Sequence, residues 1–140
     1  MQNYQILDFP VHEDPRGKLS SLSVFDEIPF EIKRIYYTWD MPHEAIRGGH
    51  AHKKLDEVMV CLHGSCDFVL DDGKEKVTIT LDKPNKGLYI PAWIWRDFRN
   101  FSKDSVVILI ASDYYDTDDY VRDYDEYLKS IKDEYRRKDS

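Results

Sequence analysis

The sequence predicts an all-β body, a sandwich or closed jelly roll, finished by a short C-terminal α-helix. Three observations carry this expectation. From Gln2 to about Ala111 the chain is a series of short apolar runs cut by turn residues, with no sustained i, i+3, i+4 spacing. The runs recur about every 8 to 12 residues, the rhythm of sandwiches and barrels. After Ser112 the pattern changes to a tyrosine-rich amphipathic segment.

Along the chain, Gln5-Ile6-Leu7-Asp8-Phe9 is strand-like and Asp14-Pro15-Arg16-Gly17 is a turn. Ile32 to Trp39 alternates as IKRIYYTW, so Tyr36 and Tyr37 point to opposite faces and only one of them can enter a cavity. Glu57 to Asp71 reads as a hairpin of two buried strands, VMVCL and CDFVL, around His63-Gly64-Ser65. Asp71-Asp72-Gly73 turns the chain, Lys76 to Leu81 alternates as KVTITL, and Pro84-Asn85-Lys86-Gly87 turns it again. LYIP and SVVILIAS supply two further strands. In the tail, Tyr120, Tyr124, Tyr127, Leu128 and Ile131 fall on one helical face. Asp118 or Asp119 is placed to cap that helix, with Arg136-Arg137-Lys138 near its C-terminal end.

With 140 residues there is room for one core, so residues 1–140 are read as a single domain with a β body to about 112 and a helical tail from about 113. Lys and Arg number 20 against 27 Asp and Glu, a net charge of -7, which argues against nucleic acid or an anionic membrane as partner. The N-terminus MQNYQILDFPVHED has neither the basic start nor the apolar run of a signal peptide, and no stretch is long enough to span a membrane, so the expected compartment is the cytoplasm. Cys61 and Cys66 are then expected to be buried thiols rather than a bridge. An aromatic content of 14% points to a ring-lined ligand pocket.

The chemistry centres on Arg47-Gly48-Gly49-His50-Ala51-His52. Two histidines at i and i+2 of a strand face the same way, so both imidazoles can enter one cavity as a metal site or an acid/base pair. With Glu57 and Gly64 following, the spacing H-x-H-x4-E-x6-G resembles the first motif of the cupin superfamily, jelly rolls of which many bind a metal through both histidines and the glutamate. The glycine that usually opens that motif is missing, Glu44 standing instead. The second cupin motif has its counterpart in Pro91-x-Trp93-x2-Arg96-x3-Asn100, so Arg96 occupies the place of the remaining metal-binding histidine. A guanidinium stays cationic and cannot coordinate, whereas it suits an anionic ligand or a developing oxyanion; no metal and no other cofactor is expected. Two near-neutral imidazoles then fit removal and return of a proton at a carbon beside a carbonyl. The cationic side chains Arg16, Lys33, Arg34, Arg47, Arg96 and Arg99 imply an anionic substrate, with Arg47 and Arg96 foremost because they lie in the motif segments.

The segments RGGHAHKKLDEVMVCLHGSCDFVLDDG, LDKPNKGLYIPAWIW and ASDYYDTDDYVRDYDEYL look like the sugar 3,4-ketoisomerases that act on dTDP-4-keto-6-deoxy-D-glucose, over nearly the whole chain. That resemblance implies a cupin jelly roll (double-stranded β-helix) and a metal-independent homodimer. It also implies movement of the keto group from C4 to C3 of a dTDP-linked hexose, for 3-amino-3,6-dideoxy sugars of surface glycans such as lipopolysaccharide or S-layer glycan. The R-G-x-H element also resembles the sugar 3,5-epimerases, which implies a base role for His50 and phosphate binding for Arg47; the added His52 is the ketoisomerase-like feature. His50 and His52 are jointly assigned the proton transfers, with Tyr37 favoured over Tyr36 as a further donor. Arg16, Lys33, Tyr36, Arg47 and Arg96 are assigned to the substrate. The competing readings are a 3,5-epimerase, which would return the proton to the same carbon; a sugar-binding cupin without turnover; and a metal enzyme using His50, His52 and Glu57 as a facial triad.

Overall fold

The computed structural model describes the backbone of residues 3–139 and the side chains of residues 3–137; Gln2 and the Lys138 side chain of the expected basic cluster lie outside the described residues. Two five-stranded antiparallel sheets form the body. The first runs, in spatial order, β1 (Gln5–Asp8), β9 (Lys86–Ile90), β6 (Glu57–His63), β11 (Val106–Ala111) and β4 (Arg34–Thr38). The second runs β12 (Tyr120–Val121), β5 (Arg47–His52), β10 (Trp95–Arg99), β7 (Cys66–Asp71) and β8 (Lys76–Leu81). A hairpin of β2 (His12–Asp14) and β3 (Gly17–Leu19) stands apart from both, and α1 (Tyr124–Asp139) ends the chain.

Alternation along the strands builds the core between the sheets. Met59, Leu88, Val107 and Leu109 from the first sheet meet Phe68, Leu70, Leu81 and Phe98 from the second, all buried. The outer face of the first sheet is not left bare: Phe9, Ile28 and Phe30 cover Val58, Val60 and Ile110. On the outer face of the second sheet, Tyr127 and Ile131 of α1 pack against Ala51, Trp95 and Val121. This is the jelly roll with a C-terminal helix that the sequence predicts.

Two expectations are corrected. Strands β6 and β7 are not a hairpin: β6 pairs with β9 and β11, while β7 pairs with β10 and β8. Gly64 carries the chain from one sheet to the other at φ +75°, where a Cβ would run into Ser102 Oγ. Two apolar runs joined by a tight glycine turn look alike locally whether they pair or cross between layers. The second correction concerns the tail. Tyr120 lies on β12, paired with His52, and the helix starts later, with Asp123 as its cap: the Glu126 N–H donates to Asp123 Oδ1 at 2.9 Å. The D-x-x-E spacing of Asp123 and Glu126 is a capping-box signal that outranks the periodicity running through Tyr120. Cys61 and Cys66 are free, buried thiols. Among the described residues no helix is long and apolar enough to cross a membrane.

Candidate active site

Glycine geometry sets the direction of the histidines. Gly48 has φ +86°, and a Cβ on it would lie 2.7 Å from the Arg96 carbonyl oxygen, so only glycine lets β5 approach β10 this closely. Gly49 follows at φ +71°, opposite a register shift between Arg96 and Asp97. Past this irregularity the period of two resumes. Ala51 faces outward to the helix-covered cluster, and His50 and His52 share the other face, their ring centroids 4.8 Å apart and nearly perpendicular. Tyr120 places its ring 4.8 Å from that of His50 and 4.5 Å from that of His52.

His52 is held from the side of the tail. Its Nδ1 lies 3.0 Å from Asp119 Oδ2, while Asp119 Oδ1 accepts from the Lys54 N–H at 2.7 Å and the Asp119 carbonyl accepts from the Lys53 N–H at 2.9 Å. Among the described residues, no hydrogen bond of normal geometry reaches His52 Nε2 or either ring nitrogen of His50. A buried polar atom without a partner costs about 1–3 kcal/mol, a debt that a ligand bearing hydroxyl and carbonyl groups can cancel.

Beside the imidazoles lies a buried ion pair that links the two sheets. Arg96 of β10 is 0% exposed. Its Nη1 donates to Glu57 Oε1 of β6 at 2.7 Å, and its other donors go to the carbonyls of Ile94 and Pro91. Glu57 Oε2 accepts from the Tyr36 hydroxyl at 3.0 Å, and Glu57 Oε1 is 3.9 Å from His52 Nε2. Burial, then the Arg96 guanidinium, pushes His50 down from 6.5 to about 4 and His52 down to about 2. Burial and the Glu57 carboxylate push the Tyr36 phenol up. At neutral pH both imidazoles are therefore uncharged, with lone pairs ready to take a proton.

Ligand atoms of His50, His52 and Glu57 lie within 4.8 Å of one another, the set that holds a metal in many cupins. The remaining chemistry does not fit one. The carboxylate is already bound by a fixed cation, and a divalent ion would sit against the Arg96 guanidinium.

Of the residues expected from sequence, the structure brings His50, His52, Tyr36 and Arg96 together. Tyr37, the favoured donor, is not among them: it is 60% exposed on the outer face of β4, its ring 5.6 Å from Trp39. The pairing of β4 with β11 fixes that parity, which the alternation alone left open. Lys33 donates to Glu31 at 3.0 Å, Arg16 is paired with Asp14 at 2.6 Å on the outlying hairpin, and Arg47 is exposed at the start of β5. Arg96 holds Glu57 rather than standing open to solvent. Sequence reasoning missed Asp119 and Tyr120 as site residues, and also Arg122, whose guanidinium lies 4.2 Å from the Tyr120 ring centre. It named Arg34 only as one cation among several; that guanidinium sits 4.4 Å from the centre of the Tyr36 ring. The one local signal for the first group is the run Asp118-Asp119-Tyr120, read as a cap. A groove of about 1040 Å³ bordered by Tyr89, Trp93, Ile131 and Tyr135 lies elsewhere, and none of the histidine-cavity groups lines it.

Comparison with known proteins agrees with this architecture. The family model described as FdtA: WxcM-like, C-terminal, matches residues 2–132. The chain belongs to this family. It is 47% identical over 131 residues, 94% of each chain, to the TDP-4-oxo-6-deoxy-alpha-D-glucose-3,4-oxoisomerase of Aneurinibacillus thermoaerophilus. A 3,4-ketoisomerase from Helicobacter canadensis superposes with a TM-score of 0.92 at 45% identity, covering 94% of this chain and 99% of that one. A histidine-to-asparagine variant of QdtA, the 3,4-ketoisomerase of Thermoanaerobacterium thermosaccharolyticum, in complex with TDP-4-keto-6-deoxyglucose, superposes with a TM-score of 0.93 at 37% identity, covering 95% and 96%. These relatives share the cupin-like jelly roll described above.

Proposed function

We propose that the protein is an isomerase that converts dTDP-4-keto-6-deoxy-D-glucose to a dTDP-3-keto-6-deoxyhexose. The observation that carries the reading is the pair of buried, uncharged imidazoles, three of whose ring nitrogens have no hydrogen bond of normal geometry among the described residues, walled by Tyr36, Tyr120 and the guanidiniums of Arg34, Arg96 and Arg122. The relatives named above add the substrate class.

The C4 carbonyl acidifies the C3–H bond. One imidazole of the His50/His52 pair takes that proton, and the bonding electrons form a C3–C4 enediolate whose charge on O4 is offset by the surrounding cations. A proton is then delivered to C4, the O3–H bond gives its electrons to the new C3 carbonyl, and the proton released from O3 passes to the charged O4, which becomes a hydroxyl. Atoms and charge balance without a redox partner. Burial first, and then the guanidiniums, depress both imidazoles; an anionic nucleotide sugar offsets the second contribution, so that part of the depression is relieved as the substrate binds. Tyr36 is the tyrosine of the interior face, its hydroxyl donating to Glu57, and Arg34, Arg47 and Arg122 are the cations this reading assigns to the phosphates. A homodimer goes with this reading and is supported by the exposed Ile35 and Tyr37 on the edge strand β4 and by the exposed Trp39 just beyond it. The free thiols suit a reducing, cytoplasmic setting, and the 3-keto product suits a following amination toward 3-amino sugars of surface glycans.

The test is a proton NMR time course of chelator-treated protein with dTDP-4-keto-6-deoxy-D-glucose in D2O. Resonances of a 3-keto sugar are expected with wild type and lost with His50→Asn and with His52→Asn. Deuterium incorporation with the keto group still at C4 would identify an epimerase, and loss of activity on chelation would restore the metal reading.

A further inference from the structure

Resting on that reading, the geometry points to Asp119 as a positioning residue that holds His52 in the tautomer protonated at Nδ1, so that its Nε2 presents a lone pair to the substrate. Three hydrogen bonds fix Asp119 on the end of β5. Its carbonyl and Oδ1 accept the successive backbone N–H groups of Lys53 and Lys54, and Oδ2 is left for His52 Nδ1 at 3.0 Å. A carboxylate only accepts, so the imidazole must donate from Nδ1. The ring is fully buried, and Tyr120, next in sequence to Asp119, meets it edge-on with ring centroids 4.5 Å apart, so the tail sets both the proton position and the plane of the ring. Among the described residues His50 has no carboxylate on its ring nitrogens, only the Gly48 backbone nearby, which separates two side chains that the sequence presents as equivalent.

The other charged and titratable groups around His52 leave this outcome intact. Arg96 from β10, with Arg34 from β4 and Arg122 beyond β12, disfavours a doubly protonated ring. Glu57 from β6 spends its Oε1 on Arg96 and its Oε2 on Tyr36, and lies 3.9 Å from Nε2, too far for a hydrogen bond. His50 meets the ring edge to face. The balance is a neutral ring with hydrogen on Nδ1 only.

Nitrogen NMR of ¹⁵N-histidine-labelled protein reads this directly, with His52 assigned by comparison with His50→Asn. Wild type is expected to show His52 protonated at Nδ1 and bare at Nε2. In Asp119→Asn the amide can still accept from Lys54 while its NH2 donates to Nδ1, so the hydrogen should move to Nε2. Turnover should fall about 10²- to 10⁴-fold with KM changed less than about threefold, as expected when the wrong tautomer is imposed without disturbing binding. A wild-type His52 carrying its hydrogen on Nε2 overturns the proposal, and that spectrum needs no variant to fold. A flipped tautomer with undiminished kcat overturns it as well. Wild type showing the Nδ1–H ring but no turnover of the nucleotide sugar supports the tautomer assignment and overturns the ketoisomerase reading instead.

Discussion

Removing one member of the Glu57–Arg96 pair should cost far more than removing both. The two side chains are fully buried, 2.7 Å apart, and join β6 of one sheet to β10 of the other. Arg96→Met strands the Glu57 carboxylate with only the Tyr36 hydroxyl as partner, and Glu57→Gln leaves a buried guanidinium without its counter-charge. Breaking such a pair costs about 3–5 kcal/mol, a large fraction of the roughly 5–15 kcal/mol that holds a domain together. The double variant Glu57→Gln/Arg96→Met removes both charges at similar volume, so it should recover to within about 2 kcal/mol of wild type. The assay is urea unfolding. With a slope of about 1.5–2 kcal/mol per molar, each single variant should lower the midpoint by about 2 M at unchanged slope, and the double by less than about 1 M. Additive losses in the cycle would refute the coupling, and a single-variant cost under about 1 kcal/mol would refute the claim that the pair is buried and dry.

Further outcomes follow from the same geometry. His50 is driven from 6.5 to about 4 in the folded state, so the unfolded chain binds the proton first; its contribution is complete above about pH 6.5 and is lost as pH falls toward 4. That amounts to up to about 3 kcal/mol, measured as stability against pH and absent in His50→Asn. Replacing Gly48 by Ala puts a Cβ 2.7 Å from the Arg96 carbonyl at φ +86°, and should lower stability by about 1–3 kcal/mol in thermal melts and abolish turnover. Tyr36→Phe should lower kcat about 10- to 100-fold in the NMR assay because Glu57 loses its hydroxyl donor, whereas Tyr37→Phe should leave kcat within about twofold.

The parts of this site that could be read from sequence are those with local periodicity. The period of two makes His50 and His52 cofacial without reference to anything distant, and a guanidinium at 96 argues against a metal by its own chemistry. Tyr36 against Tyr37 could not be settled, because the face of β4 depends on its pairing with β11 some seventy residues later. Asp119 and Tyr120 were hidden for a related reason. A strand of two residues has no period, and its partner β5 lies far upstream, so the neighbouring helical rhythm absorbed Tyr120. Likewise the crossing between β6 and β7 is a property of two layers that no window of the chain contains.

The short strand β12 also decides when the surroundings of His52 are complete during synthesis. His52 finds its ladder partner at Tyr120 and its carboxylate at Asp119, while β5 needs β10 on its other side. A nascent chain therefore carries both histidines early, and the partners of His52 arrive only once residues 119–121 have left the ribosome. Such long-range pairing places folding on the millisecond-to-second scale of β topologies. Truncated products are left with an unfinished cavity and an unpaired edge along β5, so they should be removed by aggregation or proteolysis rather than persist as leaky, partly active isomerases.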